Sequence, residues 1–242
     1  MSQSKVVTGE LSPNYKLEVP AHLQHLLHTG LIIGVVGLAL TFVLPADQRL
    51  IAAVLLAIGI VAIVPTTLLM LVTNQQLRLT ARRRMMEAVA WRGDEMVLDV
   101  GCGNGFLLLE AAKHLTTGKA IGIDVWQEGA GHQSADIARR NAPIEGVADK
   151  IDVQNVDARK MPFERETFDV IVSSLALHHM GTGSDREQAL QEMIRVLKPG
   201  GMIVLYDMFP LIDQAATVAR QSAFTRIKRL GGFPMTVLTA SR

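Results

Sequence analysis

The residues of this 242-residue chain best suited to chemistry cluster in its middle third. Asp99, Gly101, Gly103 and Gly105 follow one another in VLDVGCGNGF, from Val97 to Phe106. Glycines lack Cβ, so such a run lets the backbone turn sharply and approach a ligand closely. The spacing is GxGxG, not the GxGxxG of a dinucleotide fold, and taken alone it suits an ordinary turn equally well. Its meaning comes from the residues that accompany it downstream. Asp124 can accept both hydroxyl protons of a ribose, Trp126 can lay its ring against a purine, and Asp157 can take an adenine amino group. The backbone N–H of Ala158 can meet a ring nitrogen. A single strand-end aspartate is as readily a helix cap, but the set in this order favours a nucleoside ligand. His178 and His179, in LALHH, are the candidate proton acceptors, although capping and packing of the following loop is the stronger reading of them. Tyr206 and Asp207 fall at the end of the expected fifth strand, with no role that spacing alone assigns.

These residues need a scaffold that brings strand ends together. From Met96 onward, short β-rich runs alternate with amphipathic segments, the pattern of parallel βαβ units. Strands are expected at Met96 to Val100, Ala120 to Ile123, Ile151 to Val156, Phe168 to Ser173 and Met202 to Asp207. Helices are expected at Phe106 to His114, Ser134 to Asn141 and Arg186 to Leu197, the last burying Ala189, Met193, Ile194 and Val196. In a parallel sheet the ligand sits outside the carboxyl ends of the strands, where all the candidate residues fall. The single cysteine, Cys102, rules out an intramolecular disulfide and a cysteine-rich zinc site.

Four motifs in order make the segment from about Arg92 to Asp207 resemble the class I S-adenosylmethionine-dependent methyltransferases: VLDVGCGNG at 97–105, GIDVW at 122–126, DARKMPFERETFDVIVSSLALHH at 157–179 and RVLKPGG at 195–201. The resemblance implies a Rossmann-like, doubly wound and mostly parallel α/β sheet, with S-adenosylmethionine as cofactor. It implies that the loop Asp99, Gly101, Cys102, Gly103, Asn104 and Gly105 wraps the methionine part. It likewise implies that Asp124 holds the ribose, that Asp157 with Ala158 reads the adenine, and that Ser174 lies near the transferred methyl group. Transfer from a sulfonium needs alignment and a water-poor cavity, and neither a metal nor an acid–base pair is required. The family usually closes its sheet with an antiparallel pair of strands. Here a helix expected from about Gln214 to Leu230 leaves FPMTVLTASR, room for one strand, so the edge is expected to be shortened or covered by the helix around Asn74 to Val89.

The front of the chain has a different texture. No Asp, Glu, Lys or Arg occurs between Glu18 and Asp47, and a second uncharged run extends from Leu50 to Val72. The spans of about 19 and about 23 residues match the thickness of a hydrocarbon core, so two transmembrane α-helices are expected, joined by PADQR. A cleaved signal peptide and a buried helical hairpin are the rival readings. Gly30, Gly34, Gly37 and Gly59 would let the two helices approach closely, and Pro65 with Thr66 and Thr67 would bend the second. Arg78, Arg82, Arg83, Arg84 and Arg92 after the second span place both termini and the catalytic domain in the cytoplasm. The expected organisation is an N-terminal segment at 1–25, a membrane hairpin at 26–73, a juxtamembrane helix at 74–91 and the methyltransferase domain at 92–242.

Anchoring of this kind suits a lipid, quinone, isoprenoid or sterol-like acceptor, while a soluble metabolite or a protein also remains within reach. The formal net charge of +1 and the scarcity of aromatic residues argue against nucleic acid. Three function classes stand at this point: a methyltransferase at a membrane face, a nicotinamide-dependent oxidoreductase, which the GxGxG spacing and RVLKPGG disfavour, and a catalytically silent scaffold.

Overall fold

The computed structural model describes residues 13, 15, 21–45, 48, 53, 56, 57, 63, 76, 78–126, 134–222, 224–232 and 235–242. The chain divides into two compact units, Leu17–Thr80 and the remainder, Met1–Lys16 with Ala81–Arg242.

In the first unit, α1 spans Ala21–Val43. Ile32, Val35 and Phe42 on it are exposed. Gly37 makes a close approach possible, because a Cβ there would lie 2.9 Å from Leu56 Cδ1 on the following run. Among the described residues no helix is long and apolar enough to cross a membrane. The two transmembrane helices expected over 26–73 are therefore not supported by the described residues, and most of the second span, with Gly59, Pro65, Thr66 and Thr67, lies outside them.

The second unit is a seven-stranded sheet with helices on both faces. Its strands are β1 Met96–Val100, β2 Lys119–Asp124, β3 Ile151–Asn155, β4 Phe168–Ser174, β5 Leu197–Met208, β6 Arg226–Gly232 and β7 Met235–Ser241. They lie in the order β3-β2-β1-β4-β5-β7-β6. The first five run parallel, and β7 is antiparallel to both β5 and β6. The helices are α2 over residues 78–87, of which 81–87 belong to this unit, α3 Leu108–Lys113, α4 Ala135–Ile144, α5 Gly183–Val196 and α6 Phe209–Gln221. Because successive strand residues point to opposite faces, the sheet feeds two cores. Val97, Val170, Val172 and Val204 pack with α3, α4 and the buried residues Ala81, Met85, Met86 and Val89 in and just after α2. Leu98, Ile171, Ile203 and Leu205 pack with α5 and α6. Of the segment expected to cover the edge, residues 81–89 instead cover a sheet face.

Local chemistry fixes the helix starts. Ser134 Oγ accepts the Ile137 amide proton and opens α4. Thr182 and Asp185 form a reciprocal capping box at α5. Lys198 to Gly201 belong to β5, where the pairing jumps from Phe168↔Leu197 to Val170↔Met202, a bulge that absorbs LKPGG into the strand.

The end of the chain departs from expectation. The helix stops at Gln221, nine residues before Leu230, and RIKRLGG forms β6, so the sheet closes with two antiparallel strands instead of one. Ile227 turns inward to the α5 and α6 core, while Arg226, Lys228 and Arg229 are exposed. A strand with this charge at the sheet edge resists pairing with another chain.

Candidate donor site and its surroundings

The carboxyl ends of β1 and β2 build one side of the site. After Val100 the chain turns through Gly101, Cys102, Gly103, Asn104 and Gly105 into α3. Gly101 has φ +76, and a Cβ there would fall 2.3 Å from the Ala176 Cβ. Only glycine meets both demands. The amides of Gly101 and Cys102 donate to the Ile123 carbonyl at 2.8 and 3.1 Å, tying the loop to β2. Asn104 fastens its other flank: its Oδ1 accepts from the Ser134 amide at 3.1 Å, and its carbonyl accepts from Asn141 Nδ2 at 3.1 Å.

Under this loop lies Asp99, 1 % exposed, with no hydrogen-bond partner for either carboxylate oxygen among the described residues. Burial first, and the neighbouring Asp124 second, push its carboxyl up to about 8, while the nearby Leu108 amide, outside good hydrogen-bond geometry, pulls weakly the other way. A buried carboxylate without a partner is costly, and a cation is what relieves it. Asp124 ends β2; its Oδ2 accepts from the Gly103 amide and its Oδ1 from the Val125 amide, each at 2.7 Å. Burial raises its carboxyl above the ordinary value, with those two amides and then His179 pulling the other way. Each oxygen keeps a lone pair, so the carboxylate can still accept two hydroxyl protons. Trp126 is packed beside the α4 core, and its buried Nε1–H has no partner among the described residues.

The remaining expected residues differ in environment. Ala158 is buried and Ser174 ends β4 opposite Tyr206. Asp157 is half exposed and already engaged: Arg159 Nε donates to both its oxygens at 3.0 Å, and Nη2 donates at 2.7 Å. That guanidinium holds the Asp157 carboxyl below its ordinary value and also reaches Asp185 at 3.0 Å. Cys102 is buried, and burial pushes its thiol well up.

Two features leave no mark in the sequence pattern. Asp207, 1 % exposed at the end of β5, stands 3.1 Å (Oδ1) and 3.4 Å (Oδ2) from His178 Nδ1, and Oδ1 also accepts the Met208 amide proton at 2.8 Å. A buried carboxylate on Nδ1 fixes the imidazole orientation and leaves Nε2 as the basic nitrogen. Both residues were visible at strand ends, but nothing local to either signals the pairing. The second is Tyr15. Its hydroxyl donates to Glu145 at 2.7 Å, and its ring meets Phe106 edge to face at 5.4 Å, directly behind the glycine loop. Burial, then Glu145, drives the phenol above its usual range. Arg82 lies 4.4 Å over the same Phe106 ring.

Comparison with known proteins gives the class to which this geometry belongs. Residues 98–205 match the methyltransferase domain family. A sterol 4-C-methyltransferase of Caenorhabditis elegans is 31% identical over 116 residues, covering 48% of this chain and 32% of that protein. A demethylmenaquinone methyltransferase of Symbiobacterium thermophilum is 33% identical over 123 residues, covering 50% and 46%. The chain thus spans 32% and 46% of the length of these two relatives. An S-adenosylmethionine-dependent methyltransferase structure from Aquifex aeolicus has the same fold, with TM-score 0.53 and 20% identity over 66% of this chain and 88% of that one. The matched segment is thus similar to methyltransferase domains and has their Rossmann-like fold, and the donor named for the Aquifex aeolicus structure is S-adenosylmethionine. The residues present suit that cofactor: the orphaned Asp99 carboxylate fits an ammonium group, and Asp124 fits a vicinal diol.

Proposed function

We propose that this protein transfers a methyl group from S-adenosylmethionine to a ring-bearing hydrophobic acceptor of the quinone or sterol kind, drawn from a membrane in which residues 26–73 anchor it. The observation that carries the donor side is the buried Asp99 beneath the glycine loop, whose carboxylate oxygens have no hydrogen bond of good geometry among the described residues, one strand away from Asp124. On this reading Asp99 takes the amino-acid ammonium, Asp124 the ribose hydroxyls, Trp126 stacks on the adenine, and Asp157 with Ala158 borders it. Ser174 stands toward the reacting methyl group.

Held by Asp99, Asp124 and Trp126, S-adenosylmethionine would supply an electrophilic methyl group on a sulfonium, with the neutral thioether as the leaving group. The protein aligns donor and acceptor and keeps water away. An acceptor hydroxyl, enol or acidic C–H must lose its proton, and His178 Nε2 takes it while Asp207 holds Nδ1 and stabilises the imidazolium. A hydrophobic acceptor is supported by the sterol and demethylmenaquinone methyltransferases among the relatives and by the uncharged runs at the front of the chain. Anchoring with both termini in the cytoplasm is supported by the arginines at 78, 82, 83 and 84 and by the close approach at Gly37.

The test is transfer of labelled methyl from the donor into fractionated membranes, with mass analysis of the product. A labelled lipid-soluble ring compound is expected. Label confined to water-soluble products, or donor binding without any release of S-adenosylhomocysteine, would overturn the assignment.

A further inference from the structure

Among the described residues of the catalytic unit, the exposed large apolar side chains are Val125, Met208, Phe209 and Leu230, at 50%, 42%, 38% and 38%. They share one end of this unit. Val125 directly follows β2, Met208 ends β5 and Phe209 opens α6, all at the carboxyl edge of the parallel sheet where Asp99, Asp124 and His178 gather. Leu230 reaches the same level through the register, since it pairs with Val237 and Val237 pairs with Tyr206. Exposed apolar surface confined to the rim of a binding site marks an interaction surface.

Two cations stand beside Leu230. Lys228 projects from the same face of β6 as Leu230, about 7 Å away by strand geometry. The Arg84 guanidinium lies beside Gly231, with Nη1 3.5 Å from where a Cβ would stand. Both cations are exposed, and neither forms an ion pair with any described residue, whereas Arg82, Arg83 and Arg229 are paired with Glu110, Glu87 and Asp213. Unpaired cations beside protruding apolar side chains match the two layers of an anionic bilayer surface, head groups outside and acyl chains beneath.

We propose that the rim formed by Met208, Phe209 and Leu230 docks on an anionic lipid surface, with Arg84 and Lys228 on the head groups, so that the acceptor passes from the bilayer to the donor site without crossing water. This rests on the reading that the acceptor is a membrane molecule. Arg226 serves as an internal control, because it shares the strand face but stands about 13 Å from Leu230, beyond a Debye length at physiological salt.

The test uses the full chain carrying Leu230→Cys, labelled with a polarity-sensitive fluorophore; Cys102 is buried and stays unlabelled. Vesicles of phosphatidylcholine containing phosphatidylglycerol are expected to shift the emission to the blue, and phosphatidylcholine alone is not. The shift is expected to vanish at about 0.5 M salt and with Arg84→Glu plus Lys228→Glu, but to persist with Arg226→Glu. Equal emission on both vesicles, no shift on either, or the same shift produced by a soluble polyanion would overturn the proposal. S-adenosylmethionine binding measured by calorimetry on the same labelled sample reads the donor site separately: its loss with the shift retained refutes the methyltransferase reading, and its retention without the shift refutes the docking.

Discussion

Asp99→Asn isolates the feature on which the donor site depends. In the ligand-free protein the Asp99 carboxyl titrates at about 8, against 3.8 for an unperturbed group. At pH 7 it is therefore about nine-tenths protonated. An incoming ammonium favours the carboxylate, so donor binding at pH 7 must expel about 0.9 proton from this site. Affinity should tighten by close to tenfold per pH unit from pH 5 to 7 and level off near 8. The stability of the ligand-free protein runs the other way. The folded pKa is raised, so above about pH 4 the unfolded chain has lost the proton that the native state still holds. Stability falls by about 1.4 kcal/mol per pH unit until the folded group also ionises near 8. Asp99→Asn should flatten the fall in melting temperature across this window and weaken donor binding by about 1.5–3 kcal/mol, the worth of a charge-assisted hydrogen bond. Calorimetry in two buffers of different ionisation enthalpy counts the proton directly. Proton uptake or none at pH 7, with an unchanged dissociation constant for the variant, would refute the pairing of Asp99 with the donor ammonium.

Three further outcomes are expected. Asp124→Ala should cost one or two charge-assisted hydrogen bonds to the ribose, roughly 1.5–3 kcal/mol each; a dissociation constant equal to that of the wild type removes Asp124 from the ribose site. His178→Gln should lower turnover on a proton-bearing acceptor by about 10²–10⁴ while leaving donor affinity intact, and Asp207→Asn should follow it with a changed pH–rate profile. Wild-type turnover in either variant would leave the pair a structural one. Tyr15→Phe removes the bond to Glu145 and should cost about 1 kcal/mol, lowering the melting temperature by roughly 2–4 °C; an unchanged melting curve would show that Tyr15 does not brace the glycine loop.

Much of the sheet was legible because burial on both faces leaves near-continuous apolar runs such as VIVSS and MIVLY between turn residues. The glycine loop and Asp124 were legible for a related reason: their positions are set by backbone geometry at strand ends. The C-terminal hairpin was not. The helical period of the α6 sequence runs on past Gln221, and only the unpaired flank of β7 draws RIKRLGG into a strand, where Gly231 adopts φ +104. LKPGG likewise reads as a stop between helix and strand, yet it is a bulge within β5 that the register against β4 requires.

The sequence by itself determined the order of the strands along the chain, the glycine turn after β1 and the carboxylates at the strand ends beside it, since each is written in short-range periodicity and spacing. The tertiary structure alone decided which distant groups meet. Asp207 and His178 are 29 residues apart, and Tyr15 and Glu145 are 130 apart. Neither pair leaves a local signature, because a hydrogen bond between side chains depends on where two elements pack and not on the residues beside either one.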